Sequence, residues 1–206
     1  MWNKAENELR EVLNDLGIEY TEEIGEAAFY GPKLDVNVKP AVGNEYTLST
    51  CQLDFCLPAK FNLKYIDSNG EKKTPVVLHR AILGSLDRFM AYILEETKGA
   101  LPVWLSPVQV NIIPVNNEFH LEYSKEILDL LKENGIRVEL DDRDEKLSYK
   151  MRESVIRKIP FTLILGDKER DSKTISYRLR GSNETFNLSK EEFINKIKDD
   201  IKNKVR

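Results

Sequence analysis

Val108-Gln109-Val110-Asn111-Ile112-Ile113-Pro114-Val115 opens the part of the chain whose element order decides the fold. Its apolar residues run almost without interruption, the pattern of a strand buried on both faces. A stripe at helical spacing follows, Tyr123, Ile127, Leu130 and Leu131, and Asn134-Gly135 closes it. Residues 136–140 predict a second strand, and Leu147, Met151 and Val155 a second helix. Phe161-Thr162-Leu163-Ile164-Leu165 is a third apolar strand, ending at Gly166-Asp167. This βαβαβ order predicts a largely parallel sheet with helices packed on it. A hairpin follows, with strands over 174–180 and 184–188. Ser189-Lys190-Glu191-Glu192 then reads as a capping box for a last helix carrying Phe193, Ile197 and Ile201.

Upstream, Gly99, Pro102 and Pro107 punctuate the chain and predict a domain boundary, dividing it into 1–103 and 104–206. The first domain begins with a helix, because Trp2, Ala5, Leu9, Val12, Leu13 and Leu16 recur three and four apart before Gly17. After Gly31-Pro32 the period changes to two. Leu34, Val36 and Val38 alternate with polar residues, and a second such run passes Tyr46, Leu48 and Thr50 towards Phe55. Antiparallel pairing of these two strands is the economical arrangement. Asp67-Ser68-Asn69-Gly70 is a turn, and from Arg80 the spacing of Ile82, Leu86, Phe89 and Ile93 predicts a helix.

Composition narrows the function. The 206 residues carry 31 Lys+Arg against 35 Asp+Glu, a net charge of −4, which excludes a polybasic binder and an acidic disordered tail. Two cysteines, Cys51 and Cys56, are too few for a disulfide framework or a zinc ribbon, and a reducing, cytoplasmic setting is expected. No apolar run reaches the roughly 18 residues of a membrane span, and Met1–Glu6 lacks the apolar stretch of a signal peptide. The near-neutral total hides a basic segment, Arg143, Lys146, Lys150, Arg152, Arg157 and Lys158, which reads equally as a solvated helix face or a nucleic-acid contact.

Chemistry-bearing motifs are few. His79 closes an apolar strand beside Arg80, and His120 precedes a helix; on spacing alone each reads as a structural histidine. Neither pairs with a second His or Cys at metal-ligand spacing. Gly84 admits close approach of a ligand or backbone to the helix, and Arg88 one turn later could hold phosphate, although Gly-x-x-x-Arg is a weak signal. No P-loop, dinucleotide fingerprint or Ser-His-Asp set is present.

Several longer segments together resemble threonyl-tRNA synthetase. They are residues 25–33 (GEAAFYGPK), 52–55 (QLDF), 77–89 (VLHRAILGSLDRF), 102–110 (PVWLSPVQV), and Ile159-Pro160-Phe161 through Gly166-Asp167-Lys168-Glu169. The resemblance spans the whole chain in order and implies a mixed α/β architecture. That is the end of a class II catalytic domain, an antiparallel sheet with helices, followed by an anticodon-binding domain with a mixed five-stranded sheet flanked by helices. It further implies that His79 is one ligand of a catalytic zinc that grips the amino and hydroxyl groups of threonine. Tyr30 and Gln52 line the amino-acid and adenylate pocket, and Gly84 and Arg88 belong to motif 3, whose arginine steadies the triphosphate of ATP. Asp144, Arg152, Glu169 and Arg178 fall at positions that contact the anticodon loop of threonine tRNA, and the family implies a homodimer. Departures accompany the matches. Thr47 stands for a pocket glutamine, Ser49 and Ser148 for glycines, Asp87 for a glutamate, and Asp144 for a base-reading asparagine. Motifs 1 and 2 and the other two zinc ligands are not in the chain, so on its own it is expected to be inactive and to hold no zinc. An alternative reading is a catalytically inactive paralog that binds tRNA or a partner protein.

Overall fold

Helical spacing at the start of the chain produces α1 (Trp2–Asp15), which buries Ala5 and ends at Leu16. The computed structural model describes residues 1–40 and 43–205, and the chain forms two compact units, Met1–Glu95 and Glu96–Arg206. In the first unit, β1 (Lys33–Val38) and β2 (Tyr46–Asp54) pair antiparallel as their alternation predicts. A short helix, α2 (Leu57–Lys60), and a hairpin of β3 (Tyr65–Ile66) and β4 (Lys72–Lys73) follow. The predicted turn at residues 67–70 joins this hairpin, with the Asp67 carboxylate accepting from the backbone N–H of Asn69 and Glu71. β5 (Val77–Ala81) completes a three-stranded sheet in the order β1-β2-β5.

That strand corrects one expectation. Arg80 is not the start of a helix, because residues 77–81 pair with Thr50–Asp54 of β2. The helix α3 begins only at Leu86 and runs to Glu96. Ile82 therefore lies in the connection, and Gly84 precedes the helix instead of sitting on it. Gly84 has φ +62°, and a Cβ there would lie 2.7 Å from the carbonyl oxygen of Leu48. The left-handed conformation breaks the helical run, and the missing side chain lets the connection pass against β2.

The second unit follows the predicted order. β6 (Val110–Pro114), α4 (Asn117–Glu133), β7 (Val138–Leu140), α5 (Leu147–Ile156) and β8 (Phe161–Leu165) are succeeded by α6 (Asp167–Ser172). β9 (Thr174–Leu179), β10 (Phe186–Ser189) and α7 (Lys190–Lys202) end the chain. The sheet order is β10-β9-β8-β6-β7. β7 and β8 flank β6 in parallel, while β9 and β10 add antiparallel. This is the mixed five-stranded sheet that the resemblance implied. α7 starts at the predicted capping box, Ser189 with Glu192.

Alternation along the strands divides the sheet into two unlike faces. Val110, Ile112, Phe161, Leu163, Leu165, Ile175 and Tyr177 point to one side, where Tyr123, Ile127 and Leu131 of α4 and Phe193 and Ile197 of α7 bury them in a single core. The Tyr123 hydroxyl is the polar tie across this core, donating to Thr174 O at 2.8 Å. Thr162, Ile164, Ser176 and Arg178 point to the other side, where Ser154 of α5 and Thr162 share a hydrogen bond of 2.6 Å. The apolar face carries stability, and the second face carries most of the polar chemistry described below.

Candidate functional site

In the first unit the sheet register assembles a polar face. Gln52 lies opposite His79, so Thr50, Gln52 and Asp54 share a face with His79 and Ala81. β1 extends it, with Lys33 opposite Gln52 and Asp35 opposite Thr50. Asp35 is held from both sides, accepting from Thr50 Oγ1 and from Lys33 Nζ at 2.6 Å each. Tyr30 closes over the face, its hydroxyl donating to Gln52 Oε1 at 2.5 Å and its ring meeting His79 edge-on with centroids 5.9 Å apart. Glycine is required beside it, since a Cβ on Gly31 would lie 2.0 Å from Leu53 O. Tyr30, Thr50, Gln52, Leu57, His79, Arg80 and Ala81 line the resulting cleft, of about 360 Å³.

Asp54 lies at the floor of this face, fully buried. One carboxylate oxygen accepts from the backbone N–H of Cys56 and Leu57 at 2.9 Å, and the other is 2.8 Å from His79 Nε2. Burial pushes its carboxyl up, but the His79 bond and the two backbone N–H groups together outweigh it and leave the group below the usual carboxylate range. The His79 proton shared with Asp54 sits on Nε2, so Nδ1 is the nitrogen with a lone pair to offer. A carboxylate behind an imidazole is the arrangement that orients histidine ligands on metals. The donor at His79 thus fits one corner of a zinc site. The number of donors does not fit a whole one: among the described residues no three His, Cys, Asp or Glu side chains are grouped to hold an ion, and an open catalytic zinc takes three protein ligands.

Of the other predicted residues of this unit, Arg88 and Ser49 stand apart from that group and Thr47 shares its face. Arg88 is exposed on α3, its backbone N–H donating to Ser85 Oγ at 3.3 Å, and its guanidinium hydrogen bonds to none of Tyr30, Gln52 or His79. A bulge between Val36 and Asn37, at Leu48 on the β2 side, returns Thr47 to the polar face, where its hydroxyl donates to Asn37 Oδ1 at 2.9 Å. Ser49 faces the other way, its hydroxyl donating to Ala81 O at 2.8 Å.

In the second unit the basic segment resolves mostly into internal pairs. Lys150 is 2% exposed and donates to Asp141 O. Arg143 grips Asp141 through two nitrogens at 2.8 and 2.7 Å, and Arg157 pairs with Glu139 at 2.7 Å. Lys158 donates to the carbonyl of Lys98. Lys150 therefore cannot face RNA, and of the six cations Lys146, Arg152 and Lys158 are exposed without an ion pair among the described residues, Lys158 being tied to a backbone carbonyl. Asp144 is exposed in the loop leading to α5, and Arg152 is exposed on α5, the helix that packs over the second face of the sheet.

Arg178 lies on that face, and Glu169 is bound to it through Ser176. Arg178 lies opposite Thr162, two residues from Ser176 along β9, and its Nε donates to Thr185 Oγ1 at 3.0 Å. Glu169, on α6, is 8% exposed. One of its oxygens accepts from Ser176 Oγ at 2.6 Å and the other from Gly166 N–H at 2.9 Å. Burial pushes this carboxyl up, and the hydrogen bonds from Ser176 and Gly166 more than compensate, so it stays ionised and acceptor-only. Sequence reasoning missed Asp54, Ser176 and Asn187. Period-two spacing, 50/52/54 and 174/176/178, was the available signal that would have grouped the first two with their neighbours.

Comparison with known proteins agrees with this two-part organisation. The family model of the tRNA synthetase class II core domain (G, H, P, S and T) matches residues 1–97, and that of an anticodon binding domain matches residues 109–200. The threonine–tRNA ligase of Oceanobacillus iheyensis is 52% identical over 204 residues, covering 99% of this chain and 32% of the relative. That of Staphylococcus saprophyticus is 54% identical over 202 residues, covering 98% of this chain and 31% of the relative. The crystal structure of the RNA binding domain of threonyl-tRNA synthetase from Cryptosporidium parvum Iowa II superposes with a TM-score of 0.87 at 36% identity, over 96% of this chain and 50% of that one. The chain spans about a third of the length of these curated relatives. It belongs to the threonyl-tRNA synthetase family, within which it corresponds to the end of the class II core and the anticodon-binding domain.

Proposed function

We propose that the chain serves threonine–tRNA ligation in the cytoplasm by contributing one wall of the amino-acid and ATP site and the surface that reads the anticodon loop. The observation that carries the reading is the sorting of matched residues by fold. Tyr30, Gln52 and His79 meet on one sheet face of the first unit, and in the second unit Arg178 lies on the same sheet face as Ser176, which holds Glu169. In the first unit Tyr30 and Gln52 orient threonine and its adenylate. The exposed guanidinium of Arg88 is available to the triphosphate of ATP, and the Gly84 connection sets where α3 begins. His79, with Asp54 behind its ring, offers one nitrogen donor on this face, and the described residues do not complete a zinc site around it. In the second unit Arg152 and Arg178 supply positive charge and donors, and Glu169 supplies an acceptor, to bases splayed from a single-stranded loop. Asp144 brings an acceptor and a negative charge where an amide would also donate.

The domain limits proposed for these two tasks are 1–103 and 104–206. Titrating the chain with threonine tRNA in a filter-binding assay at several salt concentrations tests the reading. Binding that weakens as salt rises, and weakens further in Arg152→Ala and Arg178→Ala, is the expected outcome. Salt-insensitive binding, or none at low salt, would refute it.

A further inference from the structure

Asn187, on β10, is the outer end of two hydrogen-bond chains that both finish on α6. Its amide nitrogen donates to Ser176 Oγ at 3.0 Å and to Thr174 Oγ1 at 3.1 Å. Ser176 spends its one hydroxyl proton on Glu169 Oε1. Ser172 spends its own on Lys168 O at 2.6 Å, so the 2.8 Å contact between Ser172 and Thr174 takes its proton from Thr174. Every proton is then assigned. Both hydroxyls that face Asn187 have given their hydrogens inward and can only accept, which fixes the amide with its nitrogen towards them. The two chains run one way, from Asn187 through Ser176 to the Glu169 carboxylate, and from Asn187 through Thr174 and Ser172 to the backbone of α6.

From this geometry we infer that Asn187 and Ser176 are positioning residues for anticodon reading: they hold Glu169 as a fixed acceptor for a base edge that presents N–H groups. The inference rests on the reading of this face as the anticodon surface. A carboxylate tied by Ser176 on one oxygen and Gly166 on the other cannot rotate to suit a different base. Its remaining lone pairs keep one direction, and a base edge offering an acceptor there meets repulsion. Neither Asn187 nor Ser176 touches the RNA in this scheme. They act on selectivity through Glu169, whereas Arg152 and Arg178 act on affinity through charge.

The test measures affinity of the full chain for threonine tRNA and for transcripts with each anticodon base exchanged in turn. Asn187 is exposed, so Asn187→Ala leaves the core untouched; Ser176→Ala removes the inner link, and Ser176→Thr restores a hydroxyl. Asn187→Ala and Ser176→Ala are each expected to weaken binding of the unaltered tRNA by about tenfold. Binding of at least one exchanged transcript should change little, so that the preference at that base collapses while the salt dependence stays the same. Ser176→Thr should recover the preference. An equal loss for every transcript, or an unchanged preference, overturns the inference while leaving the anticodon reading intact. A wild-type chain with no preference among the transcripts overturns the anticodon reading, and this inference with it.

Discussion

Asp54 shows how much chemistry one buried side chain can organise. Three N–H donors converge on its carboxylate, two from the backbone of Cys56 and Leu57 at the start of α2 and one from His79. Its folded-state carboxyl lies below the ordinary range, so the unfolded chain binds this proton more readily. The stability it contributes is present above the ordinary carboxylate range and is lost as pH falls through the depressed value. Asp54→Asn presents an NH₂ to His79 Nε2–H, two donors facing each other, and the ring must then give up that proton or turn away. Long-range ¹H–¹⁵N correlation spectra of His79 should show the proton on Nε2 in the wild type and its transfer to Nδ1 in the variant. Melting temperatures of the wild type should fall more steeply below the carboxylate range than those of Asp54→Asn. An Nε2–H tautomer in both proteins would show that Asp54 does not set the ring. The residues of this site were legible as motif members, Gln52 and His79 among them. The role of Asp54 was not, because it depends on the β2–β5 register, which adjacent letters do not encode.

At the scale of elements, the junction between β5 and α3 shows where periodicity misleads. Ile82, Leu86, Phe89 and Ile93 keep helical spacing across a turn, so the pattern alone extends the helix backwards over a strand. Pairing with β2 decides the matter, since residues 77–81 place the inward edge of their backbone in the ladder. The second unit was easier to read: Asn-Gly and Gly-Asp signals bound its elements, and β6, β7 and β8 alternate with the helices α4 and α5. The bulge at Leu48, which puts Thr47 on the same face as Gln52, had no sequence marker. Gly84 links these features, packed on the bulge carbonyl at φ +62°. Gly84→Ala places a Cβ 2.7 Å from Leu48 O in a backbone conformation that alanine resists. It should cost about 1–3 kcal/mol in urea unfolding of the first unit. Loss of binding to ATP analogues without loss of stability would instead mean that Gly84 serves the ligand alone.

The whole molecule divides its stability unevenly between the two units. Of the seventeen buried hydrophobic residues among the described ones, proline and glycine aside, Ala5 alone belongs to the first unit, and the other sixteen belong to the second. The first unit leaves Phe29, Phe61, Leu78, Ile82 and Leu86 exposed, and α3 buries none of its residues. Burial of apolar area is the main term that offsets the ordering of a chain, at about 25 cal/mol per Å². A three-stranded sheet whose apolar residues are at most half-buried gains little of it. The second unit closes its core between the sheet and two helices, and no helix of either unit is long and apolar enough to cross a membrane among the described residues. Residues 96–206 produced separately should therefore unfold in urea as one cooperative transition. Residues 1–95 produced separately should show shallow, non-cooperative unfolding and bind an apolar dye such as ANS. Amide exchange on the full chain should follow the same division, with slow exchange in β6, β8 and β9 and fast exchange in β1, β2 and β5. A cooperative transition for residues 1–95 with slow exchange in β2 would mean that the polar network around Asp35, Asp54 and Gln52 supplies what the missing apolar core does not.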